Sequence, residues 1–148
     1  MSSTYTIRRA ATDADYGAIR KIHVDLFVGG YKEVPCLDRG TWWVVTVGKD
    51  VVGFAGLYRS SIRRGTAYLC RCGVLTAHQG HGLQKRLIRV RLQWLRRNKF
   101  RSVVTDTAGD NPASANSLLA CGFRMYVPAG RWESYPIKPG SVFWQRRV

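Results

Sequence analysis

One segment in the middle of the chain constrains the fold more than any other. Residues 66–75 are typical of a strand, and apolar side chains recur at helical spacing between residues 82 and 98. The loop between them contains Gly80 and Gly82, and glycine lets a ligand approach the backbone closely. Free backbone N–H groups and the positive end of the helix dipole at such a junction favour an anion such as a pyrophosphate. The segment therefore predicts a strand and a long helix joined at an anion-binding loop.

This loop matches neither of two well-known phosphate-binding motifs. The patterns GxxxxGK[ST] and GxGxxG are both absent from the chain. A plain connection between a strand and a helix explains the glycine pair equally well when the loop is considered alone. The segment by itself therefore leaves the choice between a connection and an anion site open.

The other predicted elements surround this segment without a repeat or a linker. One helix is predicted from residue 12 to about Val28, where Gly29 and Gly30 end it. A second, short helix is predicted over residues 112–121. Strands are predicted at 5–9, 42–47, 51–58, 66–75, 102–107 and 141–146. This order predicts an α/β fold, a mixed sheet with helices packed on it, in one domain spanning residues 1–148.

Composition argues against membrane and secreted proteins. No apolar run approaches the roughly 18 residues that a spanning helix needs, and the first residues lack the apolar core of a secretory signal. The four cysteines, at positions 36, 70, 72 and 121, form no CxxC pair, so neither a metal site nor a disulfide framework is predicted. We expect reduced thiols in a cytoplasmic protein.

The charge of the chain is strongly positive and unevenly distributed. Lysine and arginine total 24 against nine acidic residues, for a net charge of +15. No acid lies between Asp50 and Asp106, whereas the segment from Arg59 to Arg101 contains twelve basic residues. Such a field concentrates anions, so a polyanionic ligand, a nucleic acid or both are allowed as partners. The alternative is that the charge serves solubility alone.

The loop and two later segments resemble the GNAT superfamily of acetyl-CoA-dependent N-acetyltransferases. The loop, Gln79-Gly80-His81-Gly82-Leu83-Gln84, is similar to the signature Q/R-x-x-G-x-G/A, although Gln84 replaces the final small residue. Asn111-Pro112-Ala113-Ser114 with Gly122-Phe123, and Ile7 to Ala10 at the start, also resemble the family. The resemblance implies a mostly antiparallel sheet flanked by helices, with a splayed central strand pair that holds the cofactor.

Acetyl-CoA as co-substrate, and the residues that bind it, are implied by the same resemblance. The backbone of Val74 and Leu75 would meet the acetyl and pantetheine groups, and an N–H near Leu75 would stabilise the oxyanion. Asn111 would contact the pantetheine arm, although a helix cap explains this residue as well. The remaining cofactor-binding positions are the signature loop and the helix start, namely Gln79, Gly80, His81, Gly82, Leu83, Gln84 and Lys85.

The catalytic groups are harder to assign. Leu118 stands where many family members have a tyrosine acid, so Ser114, near the sulfur, is predicted as the thiolate proton donor; packing or capping is its other role. Glu133 is the predicted base, acting directly or through water, and a surface carboxylate paired with an arginine is the alternative.

The resemblance does not identify the amine acceptor. Few acids and many arginines disfavour a cationic acceptor and favour an amine on a nucleobase or on another polyanion-associated group. Two alternatives are a catalytically inactive nucleic-acid-binding protein on the same scaffold and a protein N-terminal or lysine acetyltransferase. The oligomeric state is not predicted.

Overall fold

A computed structural model describes residues 4–27, 33–34, 37–130, 132 and 139–148. Seven strands form one sheet in the order β1-β2-β3-β4-β5-β7-β6. Every neighbouring pair is antiparallel except β4 and β5, which run parallel. The strands are β1 (Tyr5–Arg9), β2 (Thr41–Val47), β3 (Asp50–Arg59), β4 (Thr66–Val74), β5 (Ser102–Ala108), β6 (Arg124–Tyr126) and β7 (Ser141–Arg147). The predicted α/β class and mostly antiparallel sheet are confirmed.

Three α-helices accompany the sheet: α1 (Asp13–Leu26), α2 (Leu83–Arg97) and α3 (Pro112–Ala120). Within the described ranges, none of them combines the length and the apolar character that crossing a membrane requires. The predicted end of α1 near Val28, with its glycine pair, lies outside the described residues, and α1 itself ends at Leu26.

Helices α1 and α2 cover opposite faces of the sheet, as alternate residues of β2 demonstrate. Trp42 and Val44 pack in the core cluster that contains Ile19 and Ile22 of α1. Trp43 and Val45 pack in the cluster that contains the apolar stripe of α2. Because successive side chains of a strand point to opposite faces, the two hydrophobic layers lie on either side of the sheet.

The start of α1 is fixed by a capping box. Thr12 accepts a hydrogen bond from the Asp15 amide at 3.1 Å, and the Asp15 carboxylate accepts one from the Thr12 amide at 3.3 Å. Arg8 of β1 donates two bonds of 2.8 Å to the same carboxylate. These bonds hold the pKa of Asp15 well below its usual range. The predicted cap at Thr12 is confirmed, and Asp15 also joins β1 to α1.

Strand β6 is the element that the sequence pattern does not predict. It has three residues and pairs only with β7, at the edge of the sheet. Three residues are too few for an alternating pattern, so its pairing depends on a partner 19 residues further along the chain.

The parallel pair in the centre of the sheet separates along its length. Strand β4 pairs with β5 only from Thr66 to Tyr68, although both strands continue for several residues. Beyond this point β4 remains paired with β3, with a register irregularity opposite Gly56. The sheet therefore opens between β4 and β5, as the resemblance implies.

Candidate active site

A cleft of about 1480 Å³ occupies the gap between the separated strands. On one side its walls include Gln84, Ile88 and Arg91 of α2, with Asn111, Ser114 and Leu118 of α3. Residues 69–72 of β4 and 105–108 of β5 line it from the strands. The predicted residues Gln84, Asn111 and Ser114 are thus brought to one cavity, although residues 84 and 114 are 30 positions apart in the chain.

The glycine loop lies between the end of β4 and the start of α2, and its backbone polar groups are available. Gly80 and Gly82 have positive φ angles of 83° and 71°, and open space surrounds the position of a Cβ at either residue. Within the described part of the chain, the amides from Gly80 to Lys85 donate no hydrogen bond to protein. Six unpaired N–H groups at a helix N-terminus fit an anion such as pyrophosphate.

Side chains fix the segment that leads from β4 into the glycine loop. Gln79 Nε2 donates to the Val74 carbonyl at 3.0 Å. The Tyr5 hydroxyl and His78 Nδ1 are 3.0 Å apart, and the His81 ring lies 5.2 Å from the Tyr5 ring. Lys85 is exposed in the first turn of α2 and adds positive charge beside the loop.

The expected oxyanion donor at Leu75 is not available as predicted. The Leu75 amide donates to the Val52 carbonyl at 2.9 Å. The pairing of β4 with β3 continues for one residue beyond Val74, the last residue of β4. The Leu75 N–H is therefore bonded within the sheet and cannot also bind an oxyanion.

Ser114 is held from two sides. Gln84 Nε2 donates to Ser114 Oγ at 2.9 Å, so the residue that departs from the family signature connects α2 to α3. The Asn111 side chain accepts from the Ser114 amide at 3.2 Å and caps α3, with Pro112 in the first turn. The capping alternative for Asn111 is thus confirmed, and its exposure to the cleft leaves cofactor contact open. Leu118, a buried apolar residue, lines the same wall.

Asp106 is the acid that sequence reasoning missed. It lies in β5, lines the cleft, and its Oδ1 accepts a hydrogen bond from the Tyr68 hydroxyl of β4. A single carboxylate inside an apolar strand was the available signal, because a charged residue in such a strand requires a partner or a function. Glu133, the predicted base, lies outside the described residues.

The cleft is balanced in charge although the chain as a whole is basic. Four of the nine acidic residues line it, together with four arginines: Glu33, Asp38, Asp106 and Asp110, with Arg39, Arg59, Arg71 and Arg91. The scarcity of acids that disfavoured a cationic acceptor is therefore not a property of this cavity.

Two cysteines of β4 also line the cleft. Cys70 and Cys72 are half-buried and pack against the core clusters while they border the cavity. Desolvation raises the pKa of the Cys72 thiol, and the positive charge of nearby Arg91 opposes this shift. The described residues include no cluster of His, Cys, Asp and Glu suited to a metal ion.

Comparison with known proteins agrees with this geometry. The sequence model of the acetyltransferase (GNAT) family matches residues 8–123, and the chain belongs to this family. A relative is N-acetyltransferase 8B of Rattus norvegicus, 30% identical over 108 residues. The match covers 68% of this chain and 49% of that protein, so the chain spans about half the length of this curated relative.

Solved structures share the fold at low sequence identity. The ribosomal-protein-alanine N-acetyltransferase of Brucella melitensis is 20% identical, with a TM-score of 0.74, over 97% of this chain and 99% of that chain. An acetyltransferase of Bacillus subtilis in complex with CoA is 15% identical, with a TM-score of 0.69, over 99% of both chains. These likenesses establish the mixed sheet and its three helices as an acetyltransferase fold.

Proposed function

We propose that this protein transfers an acetyl group from acetyl-CoA directly to a primary amine. The observation that carries the proposal is the cleft between β4 and β5, whose lining includes Gln84 from the run of unpaired amides between Gly80 and Lys85. An extended thioester whose pyrophosphate binds at the helix start can enter this gap between the strands. Direct transfer needs both substrates in one cavity, and much of the rate comes from holding them together.

The cofactor-binding residues in this proposal are those of the loop and the two helix starts. Gly80, His81, Gly82, Leu83, Gln84 and Lys85 hold the pyrophosphate through their amides, and Gln79 supports the loop. The backbone of Val74 and Leu75 runs beside the pantetheine arm, with Asn111 and Ser114 on the opposite wall. The proposal is supported by the positions of Gln84, Asn111 and Ser114 along one cavity.

Two side chains are suited to the proton transfers. Asp106 is our base, because a carboxylate in the cleft can accept the proton that the amine loses. Ser114 is our donor to the thiolate. Gln84 donates to the Ser114 oxygen, which leaves the serine hydrogen free to point to another acceptor. Glu133 stays a predicted base or water-orienting group.

The proposed acceptor is a primary amine, and two kinds of amine fit the charges of the protein. Individual carboxylates of the cleft, Asp106 among them, can pair with a protonated amine, including a protein α-amine or lysine. An amine on a nucleobase or on another polyanion-associated group remains the alternative that the overall charge favours. The cytoplasmic location remains a prediction as well.

A direct test replaces Gly82 with leucine and measures binding of CoA by titration calorimetry. We expect the variant to lose binding, because a side chain at this positive φ strains the loop and fills the space that a pyrophosphate needs. Gly48→Leu is the matched control, since Gly48 also has a positive φ, 58°, and open surroundings but lies in the β2–β3 turn. Unchanged CoA binding by the Gly82 variant would show that the loop assignment is wrong.

A second candidate function, nucleic-acid binding, is favoured by one end of the sheet. Cations of the β3–β4 turn, the end of α2 and the end of β7 meet there, which we call the basic end: Arg63, Arg64, Arg96, Arg97, Lys99, Arg101 and Arg147. The Arg101 amide donates to the Gly65 carbonyl at 2.8 Å, and the Val148 amide to the Arg101 carbonyl at 3.0 Å. No described acid lies in these segments, so a polyanion can bind there without repulsion.

A further inference from the structure

Arg91, in the middle of α2, is a buried cation that has no counter-ion among the described residues. Only 2% of its surface is exposed. Its Nε donates to the Leu87 carbonyl at 3.1 Å and its Nη1 to the Gly56 carbonyl of β3 at 2.9 Å. In the described ranges no carboxylate forms a salt bridge with it. Burying a charge without a partner is costly, and an apolar side chain of similar size would pack there without that cost.

The guanidinium borders the cleft. Arg91 lines the cavity together with Cys70 and Cys72 of β4. Its Nη2 donates to no described residue, so this edge of the group is left for something that enters the cleft. Burial lowers the pKa of Arg91, yet a guanidinium stays protonated in proteins, and the charge is therefore permanent.

We infer that Arg91 is a catalytic residue that stabilises the thiolate leaving from acetyl-CoA. This inference rests on the proposed function. In the transfer, a bond forms between the amine nitrogen and the carbonyl carbon, and the bond between that carbon and sulfur breaks. The electron pair of the broken bond passes to sulfur, while the amine proton passes to Asp106. A fixed cation held in place before the reaction lowers the energy of the new negative charge on sulfur.

The α3 wall of the cleft makes such a cation useful. Leu118 carries no proton, and the Ser114 hydroxyl is a far weaker acid than a thiol, so it can donate a hydrogen bond but holds its proton tightly. Arg91 lets the thiolate leave before it is protonated by water or by Ser114. The buried charge thus acquires a function in each catalytic cycle, beyond its bond to the Gly56 carbonyl.

The test compares binding of CoA and of desulfo-CoA, which lacks the sulfur, by calorimetry between pH 6.5 and pH 9.5. A cysteine thiol titrates near pH 8.5. Desolvation raises a thiol pKa, as at Cys72, so the inference requires direct contact with the guanidinium to outweigh desolvation and to lower the pKa of the bound thiol by about one unit. We expect the ratio of the two affinities to rise about tenfold with pH in favour of CoA. Desulfo-CoA cancels the contribution of phosphate titration.

Variants of Arg91 assign the effect to this residue. Arg91→Met should show no rise of the affinity ratio with pH and lower kcat about 100-fold with little change in KM for acetyl-CoA. It should also melt at a somewhat lower temperature, because it leaves the Gly56 carbonyl without its donor. Arg91→Lys should restore part of the pH-dependent rise.

Each contrary result has a distinct meaning. A flat affinity ratio in the wild-type protein, with both ligands bound, would overturn the role of Arg91 and leave the proposed function standing. A pH-dependent rise that persists in Arg91→Met would place the stabilising charge elsewhere. Failure of both ligands to bind would overturn the proposed function and this inference together.

Discussion

Three side chains in the cleft are bonded in the same way. Described neighbours form hydrogen bonds with some of their polar atoms, and another polar atom or hydrogen remains available to a substrate. Ser114 accepts from Gln84 and keeps its hydrogen. Arg91 is held through Nε and Nη1 and keeps Nη2. Asp106 receives the Tyr68 hydroxyl on Oδ1, and no described residue bonds its Oδ2. Groups fixed in this way lose little entropy when they meet a substrate, which is what an efficient site requires.

At the residue scale, we expect Asp106→Asn to lower kcat about 100-fold while CoA affinity stays unchanged, because an amide cannot accept the amine proton. Steady-state kinetics with calorimetry measures both quantities. Asp50→Asn, which removes an exposed acid in the β2–β3 turn, should match the wild type. If the Asp106 variant kept full kcat, the base would have to be sought elsewhere, first at Glu133.

At the scale of elements, the cleft depends on how β3 and its neighbours pack. Gly56 of β3 pairs with Trp42 of β2, and a Cβ at position 56 would lie 2.4 Å from the Trp42 ring. The carbonyl of the same glycine accepts from Arg91, opposite the irregularity in β4. Because Gly56 has no side chain, the Trp42 ring can pack directly on β3, and the Gly56 carbonyl accepts the hydrogen bond of Arg91.

Two glycine substitutions test this packing in opposite directions. Gly56→Ala should lower the free energy of unfolding by about 3 kcal/mol, since the Trp42 ring is buried and has little room to move. Gly17→Ala on α1 should raise it by about 0.5 to 1 kcal/mol, because open space surrounds the new methyl group and alanine favours the helix. Thermal and urea unfolding measure both changes. Equal stabilities for the two variants would contradict the packing described here.

Over the whole molecule, charge is sorted into three regions. The glycine loop adjoins the Val74 end of β4, and the basic end adjoins the Thr66 end, about 25 Å away along the strand. Between them lies the cleft, in which four acids and four arginines balance each other. Cations at the basic end are thus too distant to neutralise a pyrophosphate at the loop, so cofactor binding does not account for them.

The salt dependence of binding to duplex DNA tests the role of the basic end. We expect the triple variant Arg64→Gln, Arg96→Gln, Arg97→Gln to make the negative slope of log K against log salt shallower by about 2 to 3. Each phosphate that is no longer neutralised removes about 0.9 from the magnitude of the slope. Replacing Arg20, Lys21 and Lys49 with glutamine removes the same charge from other surfaces and should change the slope much less. Identical slopes for the two triple variants would mean that only the net charge matters.

Short-range chemistry in the sequence was sufficient for most elements and for the position of the loop. The cap at Thr12, the apolar stripe of α2 and the glycine pair at 80 and 82 depend on residues within a few positions of one another, so periodicity and capping rules reach them. The free amides at the start of α2 follow from the same local geometry.

Tertiary structure alone decided which groups meet in the cleft. Tyr68 meets Asp106 across 38 positions, Arg91 meets Gly56 across 35, and the Leu75 amide is used by Val52. None of these contacts leaves a periodic signal, because each depends on strand register and on the separation of β4 from β5. Burial of Arg91 is likewise a property of the packed sheet and helix. The sequence by itself determined most of the elements and the position of the glycine loop, and the register of the sheet determined which side chains meet between them.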